Sequence, residues 1–283
     1  MIAAALALDI ADRVGWIGSH RVAWRFIGMH WSLLAPSRIA HRDGERLPFG
    51  HGASRSGALP RMEAMVDKQP TIPKKKITPL QKAAAEAPRG SITALRKQAR
   101  ECRACDLWKP ATQTVFGEGS AHARIVVIGE QPGDQEDLAG KPFVGPAGKL
   151  FDRALEAAGI ERGALYVTNA VKHFKFEPRG KVRLHKRANA EEQAACRPWL
   201  AAEIDRIDPK GIVCLGAMAA QAVFGASFRL MAERGRWIEL ADGRRGLASV
   251  HPSYLLRLPG HEAREQGFAD FVRDLKQLKE VLG

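Results

Sequence analysis

The chain has 283 residues, of which 45% are hydrophobic and 27% charged, a mixture that excludes a disordered chain, a collagen and a disulfide-stapled miniprotein. No apolar run approaches the ~20 residues of a membrane helix, and no basic residue precedes the apolar start at 1–8, so we expect a cytoplasmic protein without a secretory signal. The 44 Lys and Arg exceed the 31 Asp and Glu, giving a charge of +13, which favours polyanion partners only where the charges cluster.

The first ninety residues divide into two stretches. Residues 1–60 hold several Trp and Phe in a Gly-, Arg- and His-rich setting with weak periodicity, which predicts an irregular N-terminal extension. Residues 61–90 contain four prolines and a run of three lysines at 74–76, which predicts a linker. Residues 91–283 are then left as the main domain.

From residue 91 the pattern becomes regular. Ser91 predicts the start of a helix that runs to Arg100. The later elements are a strand at 124–129, a helix at 146–158, a strand at 165–168, a helix from Asn189 to about 207, a strand at 211–215, a short helix at 217–224, a strand at 246–250 and a final helix at 262–282. This alternation predicts an α/β fold, a three-layer α/β/α sandwich with a four-stranded, mainly parallel sheet. Ligands of such sheets bind beyond the carboxyl ends of the strands.

Side chains suited to recognising a planar base follow three of these strands. Glu130 and Asp134 follow the first strand and can orient water or a nucleophile, and Phe143 lies in a Pro- and Gly-framed loop where it can stack on a base. Asn169 follows the second strand, and its amide offers a donor and an acceptor to a base edge. His251 precedes a proline, so its backbone is extended and its ring can stand at a pocket rim. Solvated loop acids, a turn-forming Asn and a structural His are the alternatives.

The net positive charge is concentrated in one segment, residues 172–187. It carries seven Lys and Arg against one acid, with two Phe and two His interleaved. Such clustering is typical of phosphate-backbone binding, and a solvated basic loop is the alternative.

The chain has four cysteines. Cys102 and Cys105 form a C-x-x-C pair after the Ser91 helix, Cys196 lies in the Asn189 helix, and Cys214 lies in a strand. Four thiolates in this arrangement can hold zinc or an iron–sulfur cluster, and spacing alone does not separate the two. A redox pair at C-x-x-C and an ordinary buried Cys214 are the alternatives.

Together these motifs resemble the uracil-DNA glycosylase superfamily, and within it the iron–sulfur family 4 enzymes and their UdgX-type relatives, over about residues 92–282. Residues 129–137 are similar to the first active-site motif, with Gln131 as in the UdgX variant. Residues 251–253 are similar to the second motif. The loop at 179–186 resembles the UdgX insertion, from which Val182 and Leu184 depart while Arg183 and His185 are retained. Residues 1–60 resemble a fragment of a domain of unknown function often fused ahead of this family.

The resemblance implies that the protein excises uracil from DNA, including single-stranded DNA, and that the loop histidine captures the abasic C1′ in a stable adduct. The implied catalytic residues are His185, Glu130 and His251. The implied uracil-binding residues are Gln131, Asp134, Phe143 and Asn169. We expect DNA contacts from Lys172, Lys175, Lys181, Arg183, Lys186, Ser253 and Arg257. The resemblance also implies a [4Fe–4S] cluster on Cys102, Cys105, Cys196 and Cys214.

Several alternatives remain beside this hypothesis. A conventional turnover glycosylase would use His185 only as a phosphate contact, a DNA-binding module would perform no chemistry, and a zinc protein would have an unrelated activity. We expect a monomer in the cytoplasm, associated with the nucleoid, that has no membrane partner and releases uracil as product.

Overall fold

The computed structural model describes residues 78–283; the predicted N-terminal extension and most of the predicted linker lie outside them. In this part the helices are α1 (Pro79–Ala84), α2 (Ile92–Arg100), α3 (Asp134–Ala139), α4 (Pro146–Ala158), α5 (Ala190–Ile207), α6 (Ala217–Phe224), α7 (Leu230–Glu233), α8 (Pro252–Leu256), α9 (His261–Lys276) and α10 (Lys279–Leu282). The strands are β1 (Ile125–Gly129), β2 (Leu165–Asn169), β3 (Phe176–Arg179), β4 (Val182–His185), β5 (Gly211–Leu215), β6 (Trp237–Glu239) and β7 (Arg245–Ser249). Among the described helices, none has both the length and the apolarity that crossing a membrane requires.

Five strands form the central sheet, in the order β2-β1-β5-β7-β6. The first four are parallel, and β6 pairs antiparallel with β7. Every residue of β1, β2 and β5 is buried, as parallel strands covered on both faces require. The predicted α/β class with a mainly parallel sheet is confirmed. The sheet has five strands rather than the predicted four. The additional strand is β6, which was not predicted because its three residues at the sheet edge are too few to give a sequence pattern.

Helices cover the sheet on both faces and complete the three layers. On one face α1, α2, α5 and α6 pack around a core that includes Leu200 and Ile204. On the other face α4, α8 and α9 pack around Phe151 and Phe271. The loops that follow β1 and β2 therefore emerge from strands that are buried throughout.

The helix boundaries follow the capping residues. The Ser91 side chain accepts the Ala94 N–H at 3.2 Å, and Asn189 forms a capping box with Glu192 at the start of α5. The final helix predicted from the sequence is two helices in the structure: α9 ends at Lys276, and the short α10 follows after two residues.

The C-terminal part of the predicted linker is not a linker. Thr78 caps α1 in a capping box with Gln81, and Leu80 is buried against the α5 side of the core. The proline at position 79, taken as a linker signal, instead occupies the first turn of this helix, where proline is well tolerated. The remaining domain boundaries stay predictions.

A β-hairpin of β3 and β4 forms a separate two-stranded sheet within the basic segment. Phe176 pairs with His185, Arg179 pairs with Val182, and Gly180 makes the turn with a φ of 59°. The sequence predicts a loop for this segment, because Pro178 and the dense charges leave no recognisable strand pattern.

Candidate active site

A cavity of about 540 Å³ opens beyond the carboxyl ends of β1, β2 and β7. This is the position that the topology of a parallel sheet predicts for a ligand, and the volume suits a small planar molecule. Eight of the residues singled out from the sequence line it: Gln131, Asp134, Phe143, Asn169, His185, His251, Ser253 and Arg257.

Phe143 and Asn169 form the part of the cavity that rests on β1. The Phe143 ring centroid is 5.4 Å from that of Phe151 and 5.9 Å from that of His251. Its backbone has a φ of 56°, which is uncommon for a bulky residue. A Cβ at Gly129 would collide with the Phe143 ring and the Asn169 amide oxygen, so glycine at the end of β1 lets both side chains approach the sheet.

His251 is held in one tautomer at the start of α8. Its Nδ1 accepts the backbone N–H of Ser253 at 3.2 Å and lies 2.8 Å from Ser253 Oγ. Because a backbone N–H can only donate, Nδ1 is the unprotonated nitrogen and Nε2 carries the proton of the neutral ring. Burial, with a smaller effect of nearby His185 and Arg257, lowers the pKa of His251 to about 4. The ring is therefore a neutral donor at neutral pH.

His185 ends β4 and stands exposed at the cavity. Partial desolvation lowers the pKa of His185, the charge of Arg257 acts in the same direction, and the carboxylates of Glu130 and Glu136 oppose them. The neutral imidazole, which is the nucleophilic form, therefore predominates at neutral pH. Glu130 does not line the cavity; its carboxylate accepts the Met218 N–H at 3.3 Å and lies close enough to influence His185.

Arg183 fixes the hairpin that carries His185. Its guanidinium donates to Asp134 and Asp137, each at 2.6 Å, and lies over the rings of Phe174 and Phe176 at 5.3 and 5.1 Å. The side chain of Asp137 is fully buried. Arg183 and Asp134 therefore bond each other, whereas the sequence predicts that Arg183 contacts DNA and that Asp134 binds uracil.

Gln131 holds the segment that follows His185. Its amide nitrogen donates to the Lys186 carbonyl at 2.9 Å, and its amide oxygen accepts the Ala188 N–H at 2.8 Å. Both ends of the amide are used by backbone groups, so this side chain supports the loop. This differs from the prediction that the Gln131 amide binds uracil.

The predicted DNA-contacting residues do not behave alike. Lys172 is 1% exposed and paired with Glu203 inside the fold, so the prediction that it contacts DNA is wrong. Nothing in the sequence pattern indicates this burial, because a lysine that will be buried is not distinguishable from its solvated neighbours. Lys175 pairs with Glu192 at 2.9 Å, and Lys186 pairs with Glu177 at the same distance on the surface.

Cations without an ion-pair partner in residues 78–283 remain around the hairpin and cavity. All are exposed, and they are Arg179, Lys181, Arg187 and Arg257. Lys181 lies at the hairpin turn, while Arg257 lines the cavity beside Ser253. These positions leave Lys181 and Arg257 free for the phosphate contacts predicted for them.

Three of the four cysteines are neighbours, and none forms a disulfide. The Trp199 indole N–H donates to Cys102 Sγ at 3.2 Å, and Trp199 and Cys105 both pack against the small cluster that holds Cys196. Burial raises the pKa of Cys196 to about 12, and the thiols of Cys102 and Cys105 act in the same direction. In residues 78–283 no three His, Cys, Asp or Glu side chains are arranged to hold a metal ion.

Cys214 does not join the other three. It is fully buried in the central strand β5, among the apolar residues of the α5 face, and burial alone raises its pKa. Of the four cysteines predicted to hold a [4Fe–4S] cluster, Cys102, Cys105 and Cys196 therefore share one neighbourhood, and Cys214 lies apart from them. Its strand position already suggested an ordinary core residue, the alternative left open by the sequence.

Two residues of this region were missed by the sequence analysis. Glu136 is 8% exposed, lines the cavity, and accepts the backbone N–H groups of Gly133 and Gly145 at 3.2 and 2.7 Å. It thereby joins the two loops at the cavity, and the capping spacing from Gly133 was the available signal. His173 is 5% exposed, and its Nε2 lies 2.9 Å from Thr114 Oγ1.

The comparisons with known proteins agree with this geometry. A sequence model described as the uracil DNA glycosylase superfamily matches residues 116–276. A "Type-4 uracil-DNA glycosylase" of Thermotoga maritima is 40% identical over 169 residues, which cover 59% of this chain and 84% of that protein. One of Archaeoglobus fulgidus is 34% identical over 200 residues, covering 68% of this chain and 94% of that protein. The family match covers more than half of the chain and includes the strands and loops that build the cavity. The chain therefore belongs to the uracil DNA glycosylase superfamily.

Proposed function

We propose that this protein is a uracil-DNA glycosylase in which His185 captures the abasic sugar as a covalent adduct. The observation that carries the proposal is the position of a neutral imidazole, His185, at the same cavity as Phe143, Asn169 and His251. The type-4 names of the relatives support uracil excision. The histidine at the end of β4 supports the trapping step.

Recognition requires the base to leave the stack, since a base inside a duplex cannot reach the cavity. Single-stranded DNA avoids this cost, so we include it among the substrates. The Phe143 ring stacks on the uracil, and the Asn169 amide bonds its polar edge with one donor and one acceptor. The Nε2–H of His251 donates to a uracil carbonyl oxygen, where negative charge develops as the base departs.

Cleavage breaks the bond between C1′ and N1, and the electron pair leaves with the uracil as an anion. The sugar becomes an oxocarbenium ion, and the lone pair of a His185 ring nitrogen forms the new bond to C1′. The ring proton then passes to water or to the nearby Glu130 carboxylate. A nitrogen-linked sugar has no easy leaving group, so each protein molecule reacts once.

A conventional turnover glycosylase is the second candidate, and the type-4 relatives favour it. In that reaction water attacks C1′, and uracil and free abasic DNA are released. His185 then contacts phosphate only.

A denaturing gel of the full chain with labelled single-stranded DNA separates the two. The DNA carries one uracil, and the controls are a thymine substrate and His185→Ala. We expect a uracil-dependent shifted band that survives heat and detergent and is absent in the variant. Alkali-sensitive breaks that accumulate beyond one per protein, without a shifted band, would establish turnover. If neither a shifted band nor strand breaks form, the protein is better described as a DNA-binding module.

We also propose a [4Fe–4S] cluster held by Cys102, Cys105 and Cys196. The iron–sulfur character of the resembled family and the shared neighbourhood of these thiols support it. Cys214 is too deep in the sheet to serve, and we assign the fourth position to His173, which is next to the residue that bonds Cys196 Sγ. The cluster would anchor the segment after α2 to α5 and takes no part in the bond-breaking step.

Iron analysis and the visible absorption of the purified protein test this assignment. We expect about four irons per chain in the wild type and in Cys214→Ala. His173→Ala and Cys196→Ala should lose iron. Iron loss in Cys214→Ala with full retention in His173→Ala would reverse the assignment, and bound zinc without visible absorption would exclude the cluster.

A further inference from the structure

A buried ion pair lies directly behind Asn169. The side chains of Lys172 and Glu203 are 1% and 0% exposed, and Lys172 Nζ is 2.5 Å from Glu203 Oε2. The ammonium also donates to Thr168 Oγ1 and to the backbone carbonyl of Asn169, both at 2.7 Å. All three protons of the lysine therefore have an acceptor, and one acceptor belongs to a residue of the cavity.

Glu203 ties this lysine to the rest of the sheet. Its carboxylate accepts the Tyr166 hydroxyl at 2.9 Å, the Gly117 N–H at 2.9 Å and the Thr168 hydroxyl at 3.0 Å. Tyr166 and Thr168 are alternate residues of β2 and share one face of the strand. The ion pair thus holds the C-terminal end of β2, which ends at Asn169, against helix α5.

The same lysine connects this network to the cysteines. Its backbone N–H donates to Cys196 Sγ at 3.2 Å. Cys196 and Glu203 are seven residues apart on α5, so they lie on the same side of the helix. One rigid helix therefore holds Lys172 at both its backbone and its ammonium.

Burying two charges is costly, and apolar side chains of similar size often give equal or greater stability. Stability alone does not account for an ion pair at this place. We propose that Lys172 and Glu203 are positioning residues that hold the Asn169 carbonyl, and so keep its amide directed at the uracil. This inference rests on the proposed function, because it assigns to Asn169 the reading of the base.

The double substitution Lys172→Met and Glu203→Gln tests the proposal. It removes both charges together, so no uncompensated charge is left in the core. Uracil release is measured under single-turnover conditions, with the full-length protein in excess over uracil-containing single-stranded DNA. We expect the maximal rate constant to fall about 10- to 100-fold, the effect of a misplaced contact. The reaction amplitude and the half-saturating protein concentration should stay at their wild-type values.

Two further variants separate positioning from stability. Ile207→Ala removes a buried side chain at the far end of α5, so it should lower Tm while leaving the rate constant unchanged. Thr168→Val removes one acceptor of the ammonium without removing a charge, and it should give a smaller fall in the rate constant. Thr168→Val decides the question if the double variant does not fold.

The outcomes are distinct. If the wild type is active and the double variant keeps the wild-type rate constant, this inference alone is overturned. If the double variant does not fold, a wild-type rate constant in Thr168→Val has the same meaning. A lower amplitude with an unchanged rate constant would show a purely structural role and would also overturn it. A wild type that releases no uracil would overturn the inference together with the proposed function.

Discussion

At the scale of single residues, the cavity depends on two neutral histidines with different tasks. The Ser253 backbone fixes His251 as a donor through Nε2, and burial lowers its pKa to about 4. His185 keeps a free nitrogen lone pair because its pKa is also below the usual value of 6.5. In the proposed reaction, the neutral state thus lets one ring donate a hydrogen bond and lets the other act as the nucleophile.

This condition predicts the pH dependence of the adduct. Protonated His185 has no lone pair to donate, and its lowered pKa extends the active neutral form below pH 6.5. We expect the rate of adduct formation to be constant between about pH 7 and pH 8 and to fall on acidification below the His185 pKa. Single-turnover gels from about pH 8 down to about pH 5 measure the rate of adduct formation. A rate that rises on acidification would contradict a histidine nucleophile.

Gln131 gives a second prediction at this scale. Gln131→Leu keeps the shape of the side chain but leaves the Lys186 carbonyl and the Ala188 N–H without their partner. An unpaired buried backbone group costs about 1–3 kcal/mol, so we expect a lower Tm and a smaller ratio of adduct to free abasic DNA. Gln266→Leu is the matched control, since Gln266 is exposed and bonds only Asp270. If the two substitutions change Tm and the adduct ratio equally, Gln131 does not support the loop.

At the scale of elements, the β3–β4 hairpin carries His185, on which the proposed trapping step depends. A lone two-stranded hairpin is marginally stable, so its contacts to the rest of the fold hold His185 in place. Arg183 supplies three of these contacts, to Asp134, Asp137 and the Phe174 ring, and within the hairpin it lies over Phe176. Phe143 and Asn169 belong to other elements and do not depend on the hairpin.

We therefore expect Arg183→Met to separate the two activities. The hairpin loses the guanidinium that bonds both Asp134 and Asp137, so adduct formation should fall at least about tenfold while uracil release continues and free abasic DNA appears. Arg183→Lys keeps the charge without the planar fork and should be intermediate. Glu177→Gln, which breaks only an exposed pair on the same hairpin, should behave as wild type. Parallel losses of release and adduct in Arg183→Met would contradict this division.

The elements also show what a sequence can and cannot predict here. β1 and β5 were predicted because five successive buried residues give an apolar run, and α5 because Asn189 caps it. The hairpin was missed because its residues are largely exposed and charged, so its pairing leaves no periodic apolar signal. The burial of Lys172 depends on Glu203, 31 residues later, and only the packing of α5 on β2 brings the two together.

At the scale of the whole molecule, the net charge overstates the surface available to DNA. The chain carries +13, yet several cations of the basic segment already pair with carboxylates: Lys172 is fully buried, and Lys175 and Arg183 are half-buried. The positive charges of this segment therefore divide into a buried or half-buried set that pairs with carboxylates and an exposed set that faces solvent. Only the exposed set can release counterions from a phosphate backbone.

This division predicts the salt dependence of DNA binding. Each lost phosphate contact lowers the slope of log K against log salt by about 0.7 for a single strand, so Lys181→Ala and Arg257→Ala should each reduce it by that amount. Lys276→Ala removes the same charge at the end of α9, about 22 Å of helix from the end next to α8, and should leave the slope unchanged. Fluorescence anisotropy with labelled single-stranded DNA measures the three slopes. Long-range attraction depends on the total charge of the protein, whereas counterion release depends on the number of individual phosphate contacts. Equal slopes for all three variants would therefore mean that DNA binding depends on the net charge of the molecule and not on a defined surface.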